Sequence, residues 1–446
     1  MNHRLALQII DCLGVAGPAE SDFDDLKTWD RRSWLVMLPW LHTSGLALPF
    51  LRTLRMHGSE CLLPSDVRTR LERNQAGNQA RVDRMAEEFA ALNRCFENAG
   101  VRYAALKGFA LIPDYSPDAS LRTQADFDYL VVPESRSHAE RALRAAGYLR
   151  QIRDDSNVHV FFHSARPLRI PASDDALYSA ALPRRLELHT RLWDAGPESI
   201  RPRSLGTALD RTQLRQWQGV RFPALSDEDA FTFQILHALR HIFDLWCRLS
   251  LLLEIAYFLK RRAHDAGFWR RFISRTNGDP GLAAATGVVV TLAAELFGAS
   301  IPAPLDDWLR ENTPPAMKLW AKRYGRDCAL GNFMEDKFSL FLLREFIPDV
   351  VAWRKVWRRR LFPIHRPNRA AEAASPRMSS RLAAGWKQSL HVVRRFKFHL
   401  VSALRLGWEF PRWERVLRQR SAGGESRAAR MTEPISAVVP VRLGER

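Results

Sequence analysis

Apolar positions along this chain recur with two periods, and the switches between them divide it into regions. Met85, Phe89, Leu92 and Phe96 fall at three- and four-residue steps, the spacing that lines one face of an α-helix. The stripe stops at Asn98-Ala99-Gly100, a helix-ending combination. Residues 101–106, Val-Arg-Tyr-Ala-Ala-Leu, predict a short buried strand, and Lys107-Gly108 then opens a helix through Phe109, Ala110, Leu111 and Ile112. From Asp126 to Val132 the pattern alternates, which predicts a strand with Phe127 and Tyr129 packed inward and Asp126 and Asp128 on the other face. A helix from Glu134 to Ala146, a turn at Gly147, a strand around Tyr148 and another over Asn157 to His163 follow. Leu186, Leu188, Thr190 and Leu192 then alternate with Glu187, His189 and Arg191, again a strand. Apolar stretches around Leu41, Leu46 and Leu51 predict helices, as does 226–260, where Ser226 and Asp229 mark a helix start. The pattern gives a unit of strands and helices set between helical regions. Its regions are 1–98, helical; 99–200, the sheet-bearing core; 201–350, a helical region forming substrate contacts or a cleft; and 351–446, a basic, amphipathic tail.

The strand face carrying Asp126 and Asp128 holds the candidate chemistry. Mg²⁺ is commonly held by one or two carboxylates together with substrate phosphate oxygens, so this pair would need only a nucleotide to complete a shell. An isolated Asp-x-Asp is ordinarily a solvated strand edge; its place behind Lys107-Gly108 sets this one apart. Glycine lets backbone approach a phosphate closely, a helix start offers free N–H groups, and Lys107 adds a point charge or simply ends its strand. Glu187 is the third carboxylate if a central strand brings it beside the pair, and a surface residue otherwise. His237 and His241 share a helical face but lack the glutamate beside the first histidine of a zinc-protease helix, which favours packing or substrate contact over metal. Arg248 and Glu254 line the cleft or form a satisfied buried polar network. No Walker-type loop, nucleophile elbow or dinucleotide fingerprint is present.

The segment from Val101 through Trp193 resembles the nucleotidyltransferase superfamily, particularly a large bacterial family of uncharacterised nucleotidyltransferases with a Lys-Gly loop. "LKGFAL", "LRTQADFDYLVV" followed by a helix and "GY", and "LELHTRLW" carry the resemblance in the family's order, and it continues weakly through 226–260. It implies an α+β fold with a small mixed-sheet core embedded between helical regions, in which Asp126, Asp128 and Glu187 are the catalytic, metal-binding acids and Gly108 lines the phosphates. Lys107 and Arg122 join Gly108 as the expected nucleotide-binding residues. Lys107-Gly108 replaces the Gly-Gly or Gly-Ser of more distant relatives, and Ala125 precedes the pair where a small or glycine-like residue is common. The implied activity is nucleotidyl transfer from an NTP, ATP among the candidates, to an unidentified acceptor hydroxyl, with Mg²⁺ or Mn²⁺ as cofactor and pyrophosphate as product. Two ions would bridge the aspartates and phosphates, with Glu187 holding the metal nearer the acceptor or taking its proton. The family's setting beside bacterial surface-polysaccharide functions points by association to a glycan-related acceptor. Two alternatives stay open: a catalytically inactive nucleotide-binding module, and a membrane-surface or nucleic-acid interaction protein acting through its tail.

Composition changes this picture mainly at the C-terminal end. The chain has 446 residues, enough for two or three domains, and its 46% hydrophobic content supports sizeable cores. Five scattered cysteines argue against a disulfide framework or a zinc site. The start lacks a signal-peptide pattern and the longest apolar run, Leu282 to Ala294, is shorter than a bilayer needs, so the expected location is cytoplasmic. Residues 351–446 hold 22 Lys plus Arg against six Glu and no Asp, which places +16 of the formal +18 there. Trp353, Val356, Trp357 and Leu361 share one helical face. Leu382, Trp386, Leu390, Val393, Phe396, Leu400 and Leu404 form a longer stripe flanked by Lys387, Arg394, Arg395, Lys397 and Arg405. Such a helix can rest on an anionic membrane, bind nucleic-acid phosphates, or pack on its own core. Packing on its own core is the first reading, peripheral contact of 351–420 with the inner membrane surface the second, and nucleic acid the less favoured partner. Beyond Arg420 the sequence reads as a flexible end.

Overall fold

The computed structural model describes residues 2–151, 157–164, 177–182, 184–196, 198–244, 247–331, 336–361 and 378–431. Among them the chain forms sixteen α-helices and seven strands: β1 (Tyr103–Ala105), β2 (Asp126–Val131), β3 (Tyr148–Gln151), β4 (Val158–His163), β5 (Arg185–His189), β6 (Gln213–Trp217) and β7 (Val220–Ala224). They make one mixed sheet in the order β3-β4-β5-β2-β1-β7-β6. The β2–β5 and β1–β7 pairings are parallel and the other four antiparallel. The fold is therefore α+β, a mixed sheet set among helices.

One face of the sheet is closed by the long helix Ser65–Asn98. Its Met85, Phe89, Leu92 and Phe96 stripe packs on Phe127, Tyr129 and Val131 of β2, Leu186 and Leu188 of β5 and Phe222 of β7. Phe89 sits at the centre, its ring 5.1 Å from that of Phe109, 6.3 Å from Phe127, 6.1 Å from Tyr129 and 4.8 Å from Phe222. The polar group most deeply set there, Asn93, is satisfied: Tyr103 Oη donates to its Oδ1 at 2.7 Å, and its Nδ2 donates to Phe89 O at 2.7 Å. Every β2 side chain with the parity of Phe127 is thus committed to an aromatic core, which leaves Asp126 and Asp128 the opposite face.

Several elements differ from the sequence expectation. The hairpin β6–β7 lies in a stretch read as helical. Its signal is weak because β6, Gln-Leu-Arg-Gln-Trp, is an edge strand with Leu214 exposed. The legible cue is the two-residue turn Gln218-Gly219, both at positive φ, as tight hairpins require. Trp217 then stacks on Phe109 at 4.0 Å, so the hairpin buttresses the segment after Lys107. That segment is a four-residue 3₁₀ turn, Gly108–Leu111, rather than an extended helix. The helix Pro280–Phe297 exceeds the apolar run seen in sequence and has the length and composition of a membrane span, yet Ala283, Val288, Val289, Leu292 and Ala293 are all buried within the fold, as in a core helix.

The chain divides into two compact units, Met1–Ile364 and His365–Arg446. The basic helix Val350–Leu361 belongs to the first: its Trp353, Val356, Trp357 and Leu361 are half-buried, and the Lys337 ammonium donates to Arg360 O at 2.9 Å near the helix end. The second unit contains the helix Met378–Met431, which continues through 421–431, where the sequence reads as flexible. Trp386, Phe396 and Leu404 of its apolar stripe are 68%, 69% and 66% exposed, and Leu390, Val393 and Leu400 are exposed as well. The Leu382 side chain and residues 362–377 lie outside the described residues.

The central position of Phe89 makes it the most sensitive point of the sheet core. Phe89→Ala should lower unfolding free energy by about 3–5 kcal/mol, the cost of emptying a large aromatic site. Urea denaturation should show this as a lower midpoint with an unchanged slope.

Candidate functional site

Parallel pairing in register sets Asp128 opposite Glu187, Leu130 opposite His189 and Asp126 opposite Arg185. Because side chains alternate, Asp126, Asp128, Glu187 and His189 all leave the sheet on the face away from the aromatic core. The structure thus brings the three acids expected from the sequence onto one face, and it adds His189. That residue stands two positions after Glu187 in the same alternation, which was the available signal for it.

Asp128 is the centre of the group. Its side chain is only 1% exposed; Oδ1 accepts from Lys107 Nζ at 3.1 Å and lies 3.2 Å from His189 Nε2, which is in turn 3.7 Å from Glu187 Oε2. The second oxygen, Oδ2, is buried without a hydrogen-bond partner. Burial works to raise the Asp128 carboxyl, but Lys107 and His189 outweigh it and hold it well below the usual carboxylate range. Burial, with the Asp128 charge adding to it, pushes Asp126 up to about 6. Burial opposes the Lys107 charge, yet Asp128 and Asp126 hold the ammonium above its ordinary value.

Ligand atoms of Asp128, Glu187 and His189 all lie within 4.8 Å of one another. Two carboxylates, one of them with a buried oxygen that has nothing to bind, and an imidazole nitrogen suit a divalent cation. The oxygens favour Mg²⁺, and the imidazole also admits Mn²⁺. Asp126, on the same face, stands outside that triangle.

The Lys-Gly segment is placed by the backbone: Leu106 N donates to Asp128 O at 3.0 Å, which delivers Lys107 to the carboxylates. Gly108 adopts φ +65°. A Cβ there would overlap the Gln124 side chain, whose Nε2 donates to Asp126 O at 3.0 Å. The short 3₁₀ turn does not supply the helix dipole expected from the sequence; what it offers is an unobstructed backbone and the Lys107 charge.

Arg122, expected at the nucleotide, is held in a bidentate pair with Glu254, Nε to Oε1 at 2.8 Å and Nη2 to Oε2 at 3.2 Å. Arg248 donates to Thr123 O at 2.8 Å and to its hydroxyl. These bonds tie the segment before β2 to the helix Leu249–Arg261 and its N-terminal flank, so Arg122, Arg248 and Glu254 form the satisfied polar network. Burial, with the Lys107 charge adding to it, holds the His237 imidazole well below its ordinary value, and its ring lies 4.8 Å from that of His241. Arg81 went unnoticed in the sequence, where an arginine on a long helix reads as solvated. It is fully buried, and donates to Gln124 O at 2.8 Å and to Ser179 O and Leu182 O at 3.1 Å. A cavity of about 740 Å³ opens beyond the C-terminal ends of β2 and β5, beside Val131, Pro133, Arg191 and Trp193; the carboxylates do not line it.

The close approach at Gly108 can be tested directly. Gly108→Ala should cost about 1–2 kcal/mol from the left-handed backbone alone, with a further loss as Gln124 is displaced from Asp126 O. Adding Gln124→Ala should lessen the penalty that Gly108→Ala imposes, and denaturant titration of the four proteins closes the cycle.

Comparison with curated proteins finds no match, and comparison with solved structures finds none either. Residues 30–298 match the family model described as uncharacterised nucleotidyltransferase. That stretch is more than half of the chain and contains the long helix, the whole sheet, the carboxylate face and the helices tied to it by Arg122 and Arg248. The chain belongs to the uncharacterised nucleotidyltransferase family.

Proposed function

We propose that the protein transfers a nucleotidyl group from an NTP to an acceptor hydroxyl and releases pyrophosphate. The observation that carries this reading is the cluster of Asp128, Glu187 and His189, with ligand atoms within 4.8 Å of one another and Asp128 Oδ2 buried and unpartnered, in a chain of the nucleotidyltransferase family. Asp128, Glu187 and His189 would hold a divalent cation, Mg²⁺ or Mn²⁺. When bound, such an ion polarises phosphate oxygens and offsets charge on the departing pyrophosphate. Lys107 supplies a further positive charge to the phosphates, and Gly108 keeps the backbone beside them free of a side chain. In the transfer, the acceptor oxygen forms a bond to the α-phosphorus and the bond from that phosphorus to the bridging oxygen of pyrophosphate breaks. Asp126 takes the hydroxyl proton: it faces the same side as the cation group, is partly exposed and lies outside the ligand triangle. The acceptor class carried forward from the family resemblance is glycan-related.

Incubation with each α-labelled NTP, Mg²⁺ or Mn²⁺ and a cell extract should label an acceptor and release pyrophosphate. Asp126→Asn and Asp128→Asn should each lower turnover by about 100-fold or more. Only Asp128→Asn should also lose cation binding, measured by calorimetry. Nucleotide bound by the wild-type protein with no pyrophosphate formed across all four NTPs would favour the inactive binding module.

We further propose that the helix Met378–Met431 lies on an anionic membrane, which would place the protein at the inner membrane surface. Its exposed Trp386, Phe396, Leu400 and Leu404, with Arg394, Lys397 and Arg405 alongside, match a surface offering hydrocarbon beneath negative headgroups. Nucleic acid offers phosphate without hydrocarbon, so it leaves the aliphatic stripe unused. Full-length protein should sediment with vesicles containing phosphatidylglycerol, bind neutral vesicles weakly and release as salt rises. The full-length Phe396→Glu/Leu404→Glu variant should bind at least about tenfold more weakly. Equal binding of that variant, or retention on nucleic acid alone, would sink the membrane reading.

A further inference from the structure

We propose that Lys107 is a resident counter-cation at Asp128, holding the divalent-cation position until nucleotide phosphates draw the ammonium away, so that metal binds weakly alone and tightly with nucleotide. The inference rests on the functional reading above and adds a rule for the order in which its components assemble.

Asp126, Asp128 and Glu187 crowd negative charge onto one face, and Asp128 is nearly closed to water. A carboxylate in that position requires a positive partner. Lys107 is that partner in the protein alone, at 3.1 Å from Oδ1, the oxygen that also faces His189. It uses one oxygen and leaves Oδ2 without a partner. A divalent cation drawn to Asp128, Glu187 and His189 would meet the lysine charge at contact distance, and the repulsion weakens binding of the ion by itself.

The lysine is built to move while its backbone is not. Its N-terminal neighbour is pinned by the Leu106 N to Asp128 O hydrogen bond, and the following Gly108 is fixed at φ +65° against Gln124. Only the four-carbon side chain is free to swing. It is one-fifth exposed and lies with its ammonium 5.7 Å from the centre of the Phe233 ring. A lysine is a compact point charge on a flexible stem, able to exchange a carboxylate for a phosphate without rearranging a planar fork. Its transfer to phosphate removes the repulsion and frees Oδ1 at the same moment. Nucleotide and metal would then assist one another reciprocally.

The test is a Mn²⁺ titration of wild-type protein, Lys107→Met and Lys107→Arg, each with and without an α,β-methylene NTP analogue that cannot release pyrophosphate. Free Mn²⁺ is followed by electron paramagnetic resonance and corrected for binding to the analogue. Without analogue, Lys107→Met should bind Mn²⁺ at least about tenfold more tightly than wild type, and Lys107→Arg should stay weak. The analogue should tighten Mn²⁺ binding strongly in wild type and much less in Lys107→Met. Melting temperature in chelator should fall in Lys107→Met and recover with Mn²⁺, which reports folding separately. Equal Mn²⁺ affinity of wild type and Lys107→Met, or an equal analogue effect in both, overturns the lysine's role while leaving the nucleotidyl-transfer reading intact. No Mn²⁺ bound by any of the three, with or without analogue, overturns the metal reading itself.

Discussion

The register between β2 and β5 is guarded by one buried guanidinium. Arg81, on the helix that covers the aromatic face, donates to Gln124 O just before β2 and to Ser179 O and Leu182 O just before β5. A one-residue slip in either strand would turn its carboxylates into the Phe89 core and bring leucine or phenylalanine to the cleft. Burial lowers the Arg81 pKa to about 10, with Asp126 and Glu88 acting the other way, so the group stays charged at neutral pH. The same side chain therefore fixes the strand ends and adds positive charge behind the acids. Three carbonyls whose positions define the site offset part of its desolvation cost, and Nη2 is buried without a hydrogen-bond partner.

What could be read from the sequence was whatever followed strict periodicity. Period two placed Phe127 and Tyr129 inward and set Asp126 and Asp128 on the other face. The same alternation put Glu187 beside them, and the Met85–Phe96 stripe marked the helix that covers the sheet's back. His189 was equally legible, two residues from Glu187, but was read only as one more polar position. Arg81 was not legible, because a buried hydrogen bond to a distant carbonyl leaves no trace in local pattern; nor was the contact of Gln124 with Gly108, which depends on how the segment before β2 packs. Arg122, expected at the nucleotide, has a partner that local pattern could not show: Glu254, 132 residues away. The 3₁₀ turn at Gly108 departed from a helix because Gly108 is at positive φ and Trp217, from a hairpin far along the chain, stacks on Phe109.

The sheet alone does not make the cleft. Arg122 to Glu254 and Arg248 to Thr123 fasten the segment before β2 to the helical layer, and Phe233 and His237 of the helix Asp227–Phe243 stand near Lys107. The buried helix Pro280–Phe297 packs against Asp227–Phe243 and Leu249–Arg261. This dependence gives a physical reason for the family match to run to residue 298 rather than stop at the last strand. Removing that layer would unpair Arg122 and loosen the segment that leads into Asp126.

Charge is concentrated toward the C-terminal end of the chain. With +16 of the formal +18 beyond residue 350, the rest of the chain is close to neutral, and its acids act through local crowding rather than net charge. At physiological salt, exposed charges are screened over about 8 Å. A buried carboxylate face is screened far less, and its selectivity is set by contacts such as Lys107 at 3.1 Å and His189 at 3.2 Å. A strongly basic chain can therefore contain a site built for a cation, because the high isoelectric point is a property of its C-terminal region.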